Sequence, residues 1–575
     1  MLVKRLHSFL FPDTPLPRSA QVRFWLSLSL TVAAIYGLMA LQDAFSSSYV
    51  VQDDARQHIF WMRRFLDPAL FPNDLIADYF KSVAPWGFTT FYQAFASVGI
   101  DPMLLAKFVP LPLALVAAAY GFGLGMQILP VPFVGFLTSF LIQQVIWTHD
   151  DVASATPRAF MPALFLAFLY YLLRRQLFPC LITIALEGLF YPQYVFVFAG
   201  LIVLQPLRWE RGRVRISQDK QDYWFCTAAL AVAVLVMLPY ALTASDYGPT
   251  ITAAAARALP EFQRRGRSSF FSDDTLAFWL NGDRSGIFPS FRPYTLAIGA
   301  LLPLLGRAPG KFPLLQKITP NIQILPKLMA VGLGLFIVAH VVLFKLHLPS
   351  RYTAYTLRYL LAIATAITLA ALLEAGLRRL QQPTLKVGQR TAIWGLTILT
   401  SAILLIYPAG FPEFPKANYQ TGEAPGLYEF FAQQPKDNMI ASVLREADNL
   451  PSHSQRSILV GREYAIPYHM GYANQFRQRV TDLIQAHYSP DAATARQFMQ
   501  TYGIDFWLVS REAFTPEFLQ DSWLRQYPEA AEQARANLRQ RKPFLERQIN
   551  RCTVFEDSEQ DLLVLQADCM MRRAS

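Results

Sequence analysis

Charge is what this chain has least of: Asp, Glu, Lys and Arg make up 16% of its residues, against 53% hydrophobic ones. That balance excludes an ordinary soluble enzyme and fits a protein whose surface faces lipid over much of its area. A glycine-rich phosphate loop is also missing, so no nucleotide-binding fold is expected. No internal repeat is visible, which argues against the inverted-repeat transporters. Low-complexity tracts are absent as well. No cleavable leader is expected. The first apolar run, Phe24 to Leu41, is too long for a signal h-region and lacks a small-residue cleavage site, so it reads as a retained first span. Only four cysteines occur, too few for a disulfide scaffold.

Long apolar runs, in contrast, are plentiful. A helix needs about 20 mostly apolar residues to cross a bilayer, because its backbone must satisfy its own hydrogen bonds there. Such runs lie near 22–45, 103–127, 132–148, 157–173, 177–190, 191–207, 223–243, 291–306, 326–346, 351–376 and 391–409. The break at Tyr191 and Pro192 is the weakest boundary among them. About eleven transmembrane helices follow from this reading. The net charge of +11 comes from Lys and Arg clustered between apolar runs, so it reads as topology and not as nucleic-acid binding.

One orientation puts Lys4, Arg5, Arg18 and Arg23 in the cytoplasm together with Arg174, Arg175, Arg208, Arg211, Arg213 and Arg215. It does the same for Arg307, Lys311, Lys317, Arg378, Arg379, Lys386 and Arg390. The expectation is a mostly α, multi-pass protein of the plasma (inner) membrane with its N-terminus inside. Residues 1–410 form the membrane domain, with long outer loops at about 42–101 and 244–290. Residues 411–575 form a small soluble α/β domain outside, joined through the Pro/Gly-rich stretch Pro408 to Pro425.

Within that last part, Ser457 to Gly461 and Ile504 to Ser510 read as short buried strands, and Met439 to Asp448 and Asp491 to Tyr502 as helices. Cys552 and Cys569 flank Thr553 to Asp568, whose two apolar runs pair as a hairpin around Ser558 to Asp561 and would bring the sulfurs together. A disulfide in an oxidising outer compartment and two unrelated thiols both fit this spacing. Tyr464, Tyr468, His469, Tyr472 and Tyr488 read either as a sugar-binding aromatic surface or as an ordinary core.

Paired acids recur in the outer segments and not in the inner ones. The first loop opens Gln52-Asp53-Asp54-Ala55-Arg56-Gln57-His58, and Ile59, Phe60, Met62, Phe65 and Leu66 follow at near-helical spacing, as in an amphipathic helix on the membrane surface. The second loop carries His149-Asp150-Asp151, with Arg158 at the next helix start, and a long later loop carries Asp273-Asp274. Adjacent carboxylates raise one another's pKa or call for a cation, so they suit a general base or a divalent metal such as Mg or Mn, for which Asp150 and Asp151 are candidates. Helix caps would use the same residues.

This arrangement resembles the GT-C superfamily of membrane glycosyltransferases: a first span entering from the cytoplasm, then a long outer loop opening on Gln52-Asp53-Asp54. The resemblance implies transfer of a sugar from a polyprenyl-phosphate donor to a glycan, lipid or protein acceptor on the outer face. It puts Asp53 or Asp54 in the catalytic role, and His58, Asp150, Asp151, Arg158, Glu187, Arg351 and Arg358 at substrate. Arginine suits the donor phosphate because its planar guanidinium binds phosphate bidentately. Glu187 stands out as a carboxylate inside an apolar run. The Trp-Trp-Asp motif of oligosaccharyltransferases is absent from the C-terminal part, as is an Asp-x-Asp in the second loop. A transporter or flippase, or a non-catalytic envelope assembly protein, would also use outer acidic pairs.

Overall fold

The structure, a computed structural model, describes residues 1–12, 18–210, 213–243 and 245–572. Arg211 lies outside them. Its main apolar helices are α1 (Arg18–Ala44), α2 (Pro110–Ile128), α3 (Pro132–Trp147), α4 (Pro157–Leu173), α5 (Leu177–Phe190), α6 (Val195–Val203), α7 (Lys220–Leu242), α8 (Ile324–Val341), α9 (Ser350–Leu380) and α10 (Val387–Ile406). Proline opens α2, α3 and α4, at a position whose N–H would have no helical partner and whose φ is already helical. The break at Tyr191 is real: α5 stops at Phe190, a 3-10 turn covers Pro192–Tyr194, and α6 resumes.

Among the described residues, six helical stretches are long and apolar enough to cross a membrane: Ala20–Ala44, Pro102–Ile128, Lys220–Leu242, Pro320–Val341, Ser350–Leu380 and Val387–Gly410. Five shorter apolar helices, Pro132–Trp147, Pro157–Leu173, Leu177–Phe190, Pro192–Val203 and Tyr294–Gly306, fall on the remaining apolar runs. α2 and α3 approach closely at a glycine pair, where a Cβ on Gly125 would lie 3.0 Å from the Gly135 Cα. Small residues at such a crossing let two backbones pack where lipid supplies no hydrophobic drive.

Among the described residues nine strands occur: β1 (Val50–Gln52), β2 (Leu207–Glu210), β3 (Arg213–Ile216), β4 (Tyr419–Thr421), β5 (Met439–Ser442), β6 (Ser457–Ile458), β7 (Phe506–Val509), β8 (Thr553–Asp557) and β9 (Leu562–Gln566). The C-terminal part holds a five-stranded sheet in the order β6-β5-β7-β9-β8, with β5 parallel to β6 and β7, and β9 antiparallel to β7 and β8. The β8–β9 hairpin carries the Cys552–Cys569 disulfide. Helix Ala492–Tyr502 follows its Asp491 cap and stops at Gly503, whose φ of 60° is the left-handed geometry that glycine adopts freely.

Two sequence expectations are corrected. Met439 to Asp448 is not a helix: β5 covers its start and a 3-10 turn, Arg445–Asn449, its end. Ile440 and Ala441 are fully buried between neighbouring strands, so pairing overrides the local helical pattern. The apolar run after Asp54 is not an amphipathic helix on a membrane surface. A single turn, Ala55–His58, gives way to the 3-10 segment Phe60–Phe65, and Ile59, Phe60, Trp61 and Met62 are buried in one core with Leu427 and Tyr464 of the C-terminal part.

That shared core is reinforced by backbone pairing. β1 pairs antiparallel with β4, Gln52 facing Tyr419, and Asp53 N donates to Asn418 O at 3.2 Å. The chain after α10 therefore returns to the first loop one residue before the aspartate pair.

Candidate active site

Three loop carboxylates meet around one guanidinium. Asp54 precedes the turn Ala55–His58 but makes no side-chain cap bond, which leaves its carboxylate turned to Arg158 at 2.5 Å. Arg158 also lies 3.3 Å from Asp150 and 3.4 Å from Asp151. As the second residue of α4, it is held where the helix begins. Asp151 further accepts from the Tyr355 hydroxyl at 2.9 Å and lies 3.8 Å from Arg351. Tyr355 follows Arg351 by one helical turn on α9, so both reach the same carboxylate.

Asp53 turns the other way and pairs with Arg56. Arg56 donates to Asn449 at 2.9 Å and lies 3.6 Å from Glu463. Glu463 in turn receives Arg267 and Gln57. Asn418 bridges the two halves, with its Nδ2 3.5 Å from Asp53 and 3.3 Å from Asp150. The residue has a positive φ of 54°, a geometry that Asn tolerates better than most residues.

The two adjacent aspartates have opposite electrostatics. Burial and the Glu463 charge raise the Asp53 carboxyl above its ordinary range, against the pull of Arg56. Burial also works to raise Asp54, but Arg158, His58, Arg267 and Arg351 together hold it below the usual value. Burial works to raise Asp151 too, but Arg158 and Arg351 bring it down to about 2. Neighbouring carboxyls whose environments drive their pKa values apart take different chemical roles. Asp53 is the better proton acceptor, and Asp54 is a fixed negative charge. His58 is pushed down to about 4 by burial and is therefore neutral near pH 7. Its ring packs edge-on against Phe80.

The remaining expected residues make no ion pair in this cluster, although Arg358 acts on the Asp151 charge. Arg358 donates to the Pro289 carbonyl at 2.5 Å and braces the segment after Arg284. Glu187 is fully buried on α5, with neither carboxylate oxygen hydrogen-bonded. Asp274 caps the helix Thr275–Leu280 through Ala277 N. In the C-terminal part, Tyr464, Tyr472 and Tyr488 are fully buried, and Tyr472 stacks on Tyr79, as core residues do. Beside Arg351 opens a cleft of about 470 Å³ lined by Arg284, Asp283, Ser269 and Asn281.

The carboxylates offer the hard oxygen donors that Mg or Mn takes. Among the described residues, however, no three His, Cys, Asp or Glu side chains gather to hold an ion. Asp54, Asp150 and Asp151 converge on Arg158 instead, so as arranged the donor set serves a guanidinium.

Sequence reasoning missed Arg56, Arg267, Tyr355, Asn418 and Glu463. Arg56 lies inside the quoted first-loop motif, and Tyr355 is in helical phase with Arg351. Asn418 and Glu463 carry no local signal, because the partners named here lie 196 to 407 residues away in sequence.

No protein-family model matches the chain, and no curated protein matches it by sequence. The fold is similar to that of the Archaeoglobus fulgidus oligosaccharyltransferase. Its apo form aligns at a TM-score of 0.52 and 12% identity over 87% of this chain and 70% of that one. The archaeal oligosaccharyltransferase from the same organism, in complex with an inhibitory peptide and a dolichol-phosphate, aligns at 0.51 and 12% over 89% and 72%. A third structure of that enzyme, tethered to an acceptor peptide containing the NVT sequon, gives 0.50 and 12% over 88% and 72%. At 12% identity the likeness is one of fold.

Proposed function

We propose that the chain transfers a sugar from a polyprenyl-phosphate donor to a hydroxyl or amide acceptor at the outer face of a membrane. The observation that carries this reading is the split aspartate pair: a raised Asp53 beside an Asp54 locked to Arg158, with Arg351 and a cleft alongside. The architecture is taken as eleven spans, with residues 411–575 outside beside the site. Glycosyl transfer requires a carboxylate at the acceptor and positive charge at the leaving phosphate. Asp53 accepts the acceptor's proton as its oxygen or nitrogen bonds the anomeric carbon. The bond from that carbon to the phosphate oxygen breaks, and the phosphate leaves with the electron pair. Arg351 and Arg284, which line the cleft, neutralise that phosphate. Asp54, Asp150 and Asp151 keep Arg158 in place and orient the acceptor. The similar archaeal enzyme is described with a dolichol-phosphate and with an acceptor peptide, which supports a lipid-linked donor here.

The test is transfer from a labelled polyprenyl-phosphate sugar pool by membranes containing equal amounts of wild type, Asp53→Asn or Asp54→Asn. Asp53→Asn should lower transfer by about 10²–10⁴-fold, the usual contribution of a general base. Unchanged transfer in both variants would remove the aspartate pair from the chemistry and favour transport or assembly.

A further inference from the structure

α4 begins beside the carboxylate cluster at Arg158 and ends at Leu173, so Arg174 and Arg175 mark the opposite end of the bundle. There, between α6 and α7, stands the two-stranded hairpin β2–β3. Its register sets Leu207 against Ile216 and Trp209 against Val214 on one face, and Arg208 against Arg215 on the other. On the charged face Arg208 reaches Asp222 at 2.8 Å, while Arg213 and Arg215 are exposed. The apolar face is left open: Trp209 is 59% exposed, Val214 55% and Ile216 59%. This face is held rigidly. Gln323 accepts from Trp209 N at 2.9 Å and donates to Trp209 O at 3.2 Å.

An open sheet edge has no place within hydrocarbon, where unpaired backbone groups find no partner. An exposed apolar face with Trp is equally out of place in water. The hairpin therefore belongs at the headgroup level, where Trp is favoured. Trp224, 68% exposed one turn into α7, marks the same level.

Under the hairpin lies a cleft of about 290 Å³, lined by Leu172, Leu177, Trp224 and Phe225 with Arg175, Gln205 and Asp222. The acid at its base is fully matched: Asp222 takes Arg175 at 2.6 Å as well as Arg208. Lys327 then remains as excess positive charge. Its Nζ bonds only the carbonyl and side chain of Gln205 and, among the described residues, has no carboxylate partner. Apolar walls at the headgroup level with a cationic end match a phosphodiester carrying acyl chains.

We propose that this cleft binds one anionic phospholipid of the leaflet opposite the candidate site, with its phosphate between Arg175 and Lys327 and a chain along Leu177 and Phe225. The proposal does not depend on the glycosyltransferase reading. Protein reconstituted in nanodiscs of equal parts phosphatidylglycerol and phosphatidylcholine, then examined for retained lipid by native mass spectrometry, should hold phosphatidylglycerol in excess of the bulk ratio. Lys327→Gln and Arg175→Gln should each bring retention back toward that ratio, and Arg175→Lys should keep the excess. Wild type carrying both lipids in the bulk ratio would overturn the proposal. So would displacement of the excess by inorganic phosphate, which would make this a site for the free ion. Trp209→Phe should remove fluorescence that is quenched by lipid brominated near the headgroup. If that fluorescence is insensitive to brominated lipid, the hairpin lies in water and the assignment fails.

Discussion

Arg158 is the residue on which the most charge depends. Three carboxylates face it, so Arg158→Gln leaves a buried cluster of like charges. Uncompensated buried charge costs about 3–5 kcal/mol, and the variant should unfold at a clearly lower temperature in detergent. Adding Asp54→Asn to it should recover part of that loss. If the two changes simply add, the pairing does not carry the stability. Asp448 gives a pH test. Burial and the Glu463 charge lift it to about 7, against Arg56, so folding favours its protonated form. An acid raised in the folded state lends stability that is complete below its ordinary value near 4 and disappears as the pH rises through about 7. Asp448→Asn mimics the protonated form. Relative to wild type it should therefore be more stable at pH 8 than at pH 5. An equal difference at both pH values would show that Asp448 does not titrate in this window.

Elements that could be read from the sequence are those whose signal is local. Apolar length announces the long helices, Asp491 and Gly503 bracket one helix by capping alone, and the β8–β9 hairpin is visible in its two apolar runs and flanking cysteines. The aspartate pairs were legible because Asp-Asp recurs in the outer segments and not in the inner ones. Elements defined by a distant partner were not. Met439 to Ser442 becomes a strand only because β6 and β7 flank it, and Ile59 to Met62 is core only because the C-terminal part covers it. The strap of β1 on β4 belongs to this second kind, and it sets the position of Asp53. Gln420→Pro places a residue without an N–H opposite Val51. It should lower transfer about 10²-fold by misplacing the base, with the unfolding temperature little changed. Full activity in a folded variant would show that the strap does not position Asp53.

At the scale of the whole molecule, the orientation read from Lys and Arg makes a direct demand. Gln382, exposed after α9, and Asp437, exposed before β5, should lie on opposite sides of the membrane. In intact cells, an impermeant maleimide should label Asp437→Cys and leave Gln382→Cys untouched until the membrane is opened. Labelling of Gln382→Cys alone would invert the topology. The same frame puts the carboxylate cluster at the boundary where a lipid-linked phosphate would meet a water-borne acceptor.

The β1–β4 strap also orders events in time. A chain still being synthesised, inserted as far as residue 410, already holds both aspartate pairs, Arg158 and Arg351. It lacks Asn418, the strand that fixes Gln52, and Glu463. The pocket assembles only when late-made sequence folds back on early-made sequence. Unfinished or truncated copies are thus left without the assembled aspartate cluster.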